Sequence, residues 1–192
     1  MPFGEAFFYA IFGIFALVLA IQIFWRRNSA KIVKPIFWSA AAIVLAYIVY
    51  VSYLQYQAFQ GGPLSATLGT ISGLKWFFGY ARLHFWNQYL VSFIAALGIF
   101  ALAKYINKKR GEIFMEREEI YLGGLGTFLV GYPGFFFYII LVLALSVLTS
   151  ALFVRKGERL PLYYFWMPTA IVALLTINFW AGNQSWWASF RF

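Results

Sequence analysis

The sequence predicts an all-α integral membrane protein: a polytopic bundle of six transmembrane helices with a short amphipathic interfacial helix near residues 72–84. Three observations carry this. First, 63% of the side chains are hydrophobic and 11% charged, more apolar surface than a water-soluble domain can hide. Second, apolar runs close to the ~20 residues needed to cross a ~30 Å hydrocarbon layer recur along the chain. They leave no stretch for a soluble unit, so residues 1–192 read as a single transmembrane domain. Third, the basic residues fall in three clusters between runs. Arg26–Lys34, Lys104–Glu119 and Arg155–Arg159 hold twelve of the fifteen Lys and Arg. Placed together, these segments are the cytoplasmic loops, with both termini outside. A prokaryotic cell membrane is the expected location.

The spans follow in order. Phe7–Phe24 has only Glu5 as a charge before it and is followed by Trp25, Arg26 and Arg27, so it reads as a retained helix and not a cleaved leader. Ile36–Tyr56 is the second span, closed by Gly61, Gly62 and Pro63. The segment from Leu74 to Trp86 alternates aromatic residues with Lys75 and Arg82, the pattern of a helix lying in the outer interface. Trp180, Trp186, Trp187 and Phe190 extend that external aromatic belt. Phe85–Tyr105 is the third span. The fourth, Ile120–Tyr132, reaches only about 20 Å at 1.5 Å per residue, so an earlier start near Ile113 is expected; a re-entrant hairpin is the alternative. Gly131, Tyr132, Pro133 and Gly134 turn the chain into Phe135–Val154, and Leu162–Trp180 is the last span. Gly123, Gly124 and Gly126 let neighbouring helices approach closely, which predicts that the fourth helix is the central one.

Reactive groups are sparse. The chain has no Cys, no Asp and one His, which argues against thiolate metal sites, covalently attached haem and the usual zinc or iron centres. No metal is expected. The lone His84, in YARLHFWNQY, is a low-weight candidate axial ligand for a tetrapyrrole, with Phe85, Trp86 and Tyr89 available to pack on the ring. One more ring in an interfacial belt is the plainer reading, and no cofactor is expected. The serines and threonines have no neighbouring base, and the glycines after Glu119 are no phosphate cradle. The net charge of +9 points to anionic lipid at the cytoplasmic face and not to nucleic acid.

The acids cluster at Glu112, Glu116, Glu118 and Glu119. If residues 112–119 are helical, Glu112, Glu116 and Glu119 share one face, a solvated start to the fourth helix favoured by the helix dipole.

The order of parts resembles the type IV prepilin peptidases, intramembrane aspartyl proteases. FMEREEIYLGGLGTFLVGYPG is similar to their Gly-x-Gly-Asp motif helix, and VRKGERLPLYYFWMPTAIVALL to their basic loop and Pro-containing last helix. The resemblance spans most of the chain. It puts Glu119 where the second catalytic Asp would stand, and Asn28, seven residues before Pro35, near the first. Two carboxyls must share a proton in that chemistry, and Asn28 cannot ionise. The resemblance therefore implies a relative without the activity.

Together these features predict a non-catalytic multi-pass protein, an accessory or structural subunit of a larger membrane complex, whose partners are the bilayer and other membrane subunits. A degenerate peptidase-like protein is one alternative. The other is a small transporter or a lipid- or pigment-binding protein, with a cavity among Gln22, Asn28, Gln55 and Gln57.

Overall fold

The computed structural model describes residues 5–26, 29–62, 65–110, 115–153 and 162–180. Among these residues every regular element is helical. Helix α1 is Glu5–Phe24, α2 Ser29–Gln60, α3 Ser65–Leu68, α4 Ile71–Ala81, α5 Asn87–Arg110, α6 Arg117–Val130, α7 Gly134–Phe153 and α8 Trp166–Phe179. Five stretches are long and apolar enough to cross a membrane: Glu5–Phe24, Lys31–Gln60, Ile71–Lys109, Gly134–Leu152 and Leu162–Phe179.

The central helix is α6, which packs against α2, α5, α7 and α8. Every residue from Glu119 to Val130 except Tyr121 is buried. Its glycines are the reason. A methyl group on Gly123 would lie 3.0 Å from the Trp166 ring, and one on Gly124 or Gly126 would overlap the rings of Phe100 and Tyr138. Phe37 of α2 closes the core, its ring 5.0 Å from Phe100 and 6.4 Å from Phe128.

Four expectations need correction. Helix α6 does not begin near Ile113. Glu116 is extended, with φ −67° and ψ 158°, and the helix starts at Arg117. Glu119 stops it there, because its carboxylate accepts the Glu116 backbone N–H at 2.9 Å, one arm of a capping box. The shared face of Glu112, Glu116 and Glu119 consequently does not form; Glu112 itself lies outside the described residues. At 14 residues, about 21 Å long, α6 is shorter than the apolar layer. Its flanks are covered by protein, so its backbone groups stay satisfied.

The interfacial helix is not a separate element either. Thr70 caps α4 through the Gly73 N–H at 3.1 Å, and a π turn at Arg82–Trp86 carries the chain into α5 without a break. Rings of α4 pack on the end of α2, Tyr56 on Phe77 at 5.1 Å and Phe59 on Tyr80 at 5.4 Å.

The second span is longer than its apolar run, because α2 takes in Pro35 and starts at Ser29. Pro35 lies past the first turn, so the helix runs through it without the hydrogen bond to the Lys31 carbonyl.

At the far end of α6, Gly131 adopts φ +77°, where a side chain is strained. The Gln88 carbonyl accepts the Tyr132 N–H there at 3.2 Å, and the turn delivers the chain to α7 as expected. Against the six spans expected, five candidates are found among the described residues, because α6 is only 14 residues long. The last of the five, Leu162–Phe179, opens with a short 3-10 turn at Leu162–Tyr164 before α8, whose Pro168 sits in the first turn.

Candidate functional site

Where α1 ends and α2, α6 and the Leu162–Tyr164 turn begin, four polar side chains are withdrawn from solvent beside the exposed Arg26. Gln22, Ser29 and Glu119 are at most 4% exposed and Tyr163 1%, with Arg26 at the rim. Gln22 and Tyr163 clasp each other reciprocally. The Gln22 amide donates to the Tyr163 carbonyl, and the Tyr163 hydroxyl donates to the Gln22 carbonyl at 3.2 Å. This leaves Gln22 Oε1 buried without a partner. The Ser29 hydroxyl donates to the Arg26 carbonyl at 2.8 Å and lies beside the Tyr163 phenol. Arg26 covers the rings of Tyr163 and Tyr164 at 5.5 and 5.3 Å and donates to the Tyr164 hydroxyl at 2.8 Å.

Glu119 sits in the polar first turn of α6, ahead of its apolar run. Burial pushes its carboxyl pKa up. The backbone N–H groups of Glu116 and Tyr163 pull it down, and the charges of Glu116 and Glu118 add to the rise. This is a carboxyl that holds a proton more readily than an exposed one. It also has a fixed structural task, since it accepts the donor at the start of α6.

Of the residues singled out in the sequence, Glu119 is thus placed inside a polar cluster. Asn28 lies outside the described residues, but its neighbours Arg26 and Ser29 stand at this cluster. The two segments that the resemblance pairs therefore meet at one end of the bundle, through Tyr163. His84 is elsewhere. It is exposed in the π turn, stacked on Tyr80 at 4.0 Å, with Nδ1 2.9 Å from the Tyr80 carbonyl oxygen of the preceding turn. Tyr89 points the other way, buried against Phe7 and Phe128, and the Trp86 indole N–H donates to Ser52 at 3.1 Å. No group of three or more His, Cys, Asp or Glu capable of holding a metal occurs among the described residues.

Of the four polar residues offered as a transport cavity, Asn28 lies outside the described residues and the other three do not converge. Gln22 is beside the start of α2, whereas Gln55 and Gln57 lie about 39 Å further along that helix at 1.5 Å per residue. Gln57 is exposed and donates to Tyr53 at 2.5 Å.

Sequence reasoning missed Tyr163, Ser29 and Arg26. An aromatic residue after Pro161 carries no motif, and only the fold reveals that it bridges two distant loops.

No protein-family model, curated protein or solved structure matches this chain.

Proposed function

We propose that this chain is a multi-pass integral membrane protein, in a prokaryotic cell membrane with both termini outside, that acts as a non-catalytic accessory or structural subunit of a larger membrane assembly. The observation that carries this reading is the use made of Glu119. The one buried carboxylate of the described residues caps its own helix. The outer surface adds support: Ile140, Val147 and Leu152 of α7 are each at least 64% exposed, an apolar flank suited to lipid or to partner helices.

Gentle detergent extraction, followed by native mass and an absorption spectrum, tests it. A partner in fixed ratio is the expected result, and a colourless monomer counts against the subunit role. A visible tetrapyrrole band would return attention to His84. Because the chain lacks Cys, Lys109→Cys and Lys75→Cys give clean single-site labelling. The orientation requires that Lys109→Cys reacts only from the cytoplasmic face and Lys75→Cys only from outside.

A second reading, the peptidase-like relative without activity, rests on the meeting of the Arg26–Ser29 segment with Glu119. It expects no prepilin cleavage by the native chain or by Glu119→Gln. Cleavage that depends on Glu119 would overturn both readings.

A further inference from the structure

A second feature of the same end lies on the other side of α6. A cavity of about 650 Å³ opens between α2, α5 and α6. Lys31 and Lys34 stand on its α2 wall, Lys104 on its α5 wall and Arg117 at the head of α6. Among the described residues no carboxylate lines it. The acids of the α6 first turn are spent elsewhere: Glu119 is buried toward Tyr163, the Glu118 charge acts on Tyr163 and Glu119, and Glu116 is exposed at the cap.

Four cations around one hollow repel, and Lys31 and Lys34, three apart on a helix, repel at close range. All four are exposed and share the hollow with water, and their combined positive potential favours an anion placed between them. The floor is aromatic. Phe100 packs on Phe37 at 5.0 Å and on Tyr121 at 5.2 Å, a base too apolar to bind an anion by itself. Asn107 fixes the wall, since its amide donates to the Met115 carbonyl at 3.0 Å and accepts the Met115 N–H at 3.2 Å, locking the end of α5 to the approach of α6. One turn further along α2 and about two turns back along α5, Trp38 and Leu97 are 45% and 38% exposed, so the cationic hollow continues into an apolar flank.

We propose that this cavity binds the headgroup of an anionic lipid carrying two phosphate charges, with Lys31, Lys34, Lys104 and Arg117 around the phosphates and the acyl chains lying along Trp38 and Leu97. The proposal rests on the membrane reading above and names its lipid partner. Phosphate is the shared chemistry. A lipid is favoured over a free ion because the cations stand directly above exposed apolar side chains, as in the basic pockets that hold bis-phosphate lipids between transmembrane helices.

The test is native mass spectrometry of the full chain in detergent, titrated with cardiolipin, with phosphatidylcholine and with inorganic pyrophosphate. Failure of the membrane reading is separable, because the chain would then leave the membrane fraction in an alkaline carbonate wash before any lipid is added. Cardiolipin should be retained at least tenfold more tightly than phosphatidylcholine. Each of Lys31→Gln, Lys34→Gln and Lys104→Gln should weaken it roughly fivefold. The double variant Lys34→Arg/Lys104→Arg should retain it, and Lys75→Gln, on α4, should leave it unchanged. Helical content by circular dichroism confirms that each variant folds, and the Arg pair keeps the question open to an answer if a Gln variant does not. Cardiolipin held no more tightly than phosphatidylcholine, equal retention in the Gln variants, or pyrophosphate bound as tightly as the lipid would each overturn the proposal.

Discussion

Replacing Glu119 separates a structural carboxylate from a working one. Glu119→Ala removes the acceptor of two backbone donors, the N–H groups of Glu116 and Tyr163. Tyr163 is 1% exposed, so its N–H would be stranded at about 1–3 kcal/mol. Glu116 is exposed and its N–H rehydrates, so that loss is nearer the ~1 kcal/mol of an ordinary helix cap. The sum is about 2–4 kcal/mol. For a chain of this size each kcal/mol moves the thermal midpoint by about 2–4 °C, so a fall of roughly 5–15 °C is expected. Glu119→Gln keeps an acceptor in the same place and removes a charge that burial and the neighbouring Glu116 and Glu118 disfavour. It should stay within about 1 kcal/mol of the parent. The assay is thermal unfolding in detergent followed by circular dichroism. If Glu119→Gln proves as damaging as Glu119→Ala, the cap is not the reason for the carboxylate and the inert reading of the site fails.

The pH dependence follows from the same group. Its folded pKa is raised above the ordinary 4.5, so as pH climbs through that value the unfolded chain loses its proton first and the native state loses stability until the native carboxyl has also ionised. The thermal midpoint of the parent should therefore fall as pH rises above 4.5 by more than that of Glu119→Gln, and parallel profiles would refute this. Gly126→Ala should cost about 1–3 kcal/mol, because its methyl would overlap the Tyr138 ring, whereas Gly98→Ala, which meets nothing within 4 Å, should be neutral or stabilising. Equal effects in the same unfolding assay would mean that α6 is not packed as described. Tyr138→Phe should leave the midpoint unchanged or raise it, since the Tyr138 hydroxyl is buried without a partner. A loss above about 1 kcal/mol would show that the hydroxyl has one.

Period and composition made most of the architecture legible, because apolar runs in this chain coincide with helices. Phe7–Phe24 and Phe135–Val154 differ from α1 and α7 by no more than two residues at either end. The centrality of α6 was also readable, since three glycines within four positions serve no purpose on a lipid-facing surface. What failed was local. Glu at an N-cap is not the Ser or Thr of the usual signature, so Glu116-Arg-Glu-Glu119 reads as a charged helical face when it is a helix start. The amphipathic pattern after Thr70 is present, but the sequence cannot distinguish a helix lying along an interface from the first turns of a longer one joined through a π turn. The site was half visible for a related reason. Burial singles out Glu119 only after folding, and the cations of the cavity look in sequence like an ordinary positive-inside loop. Lys31 and Lys34 differ from Lys108 and Lys109 in one respect, that the fold turns the first pair, with Lys104 and Arg117, onto a common hollow and leaves the second pair on the outside. A charge bias that orients a chain in the bilayer requires only a count on one side, whereas a lipid site requires convergence, and convergence is a property of helix rotation that no linear spacing between separate helices encodes.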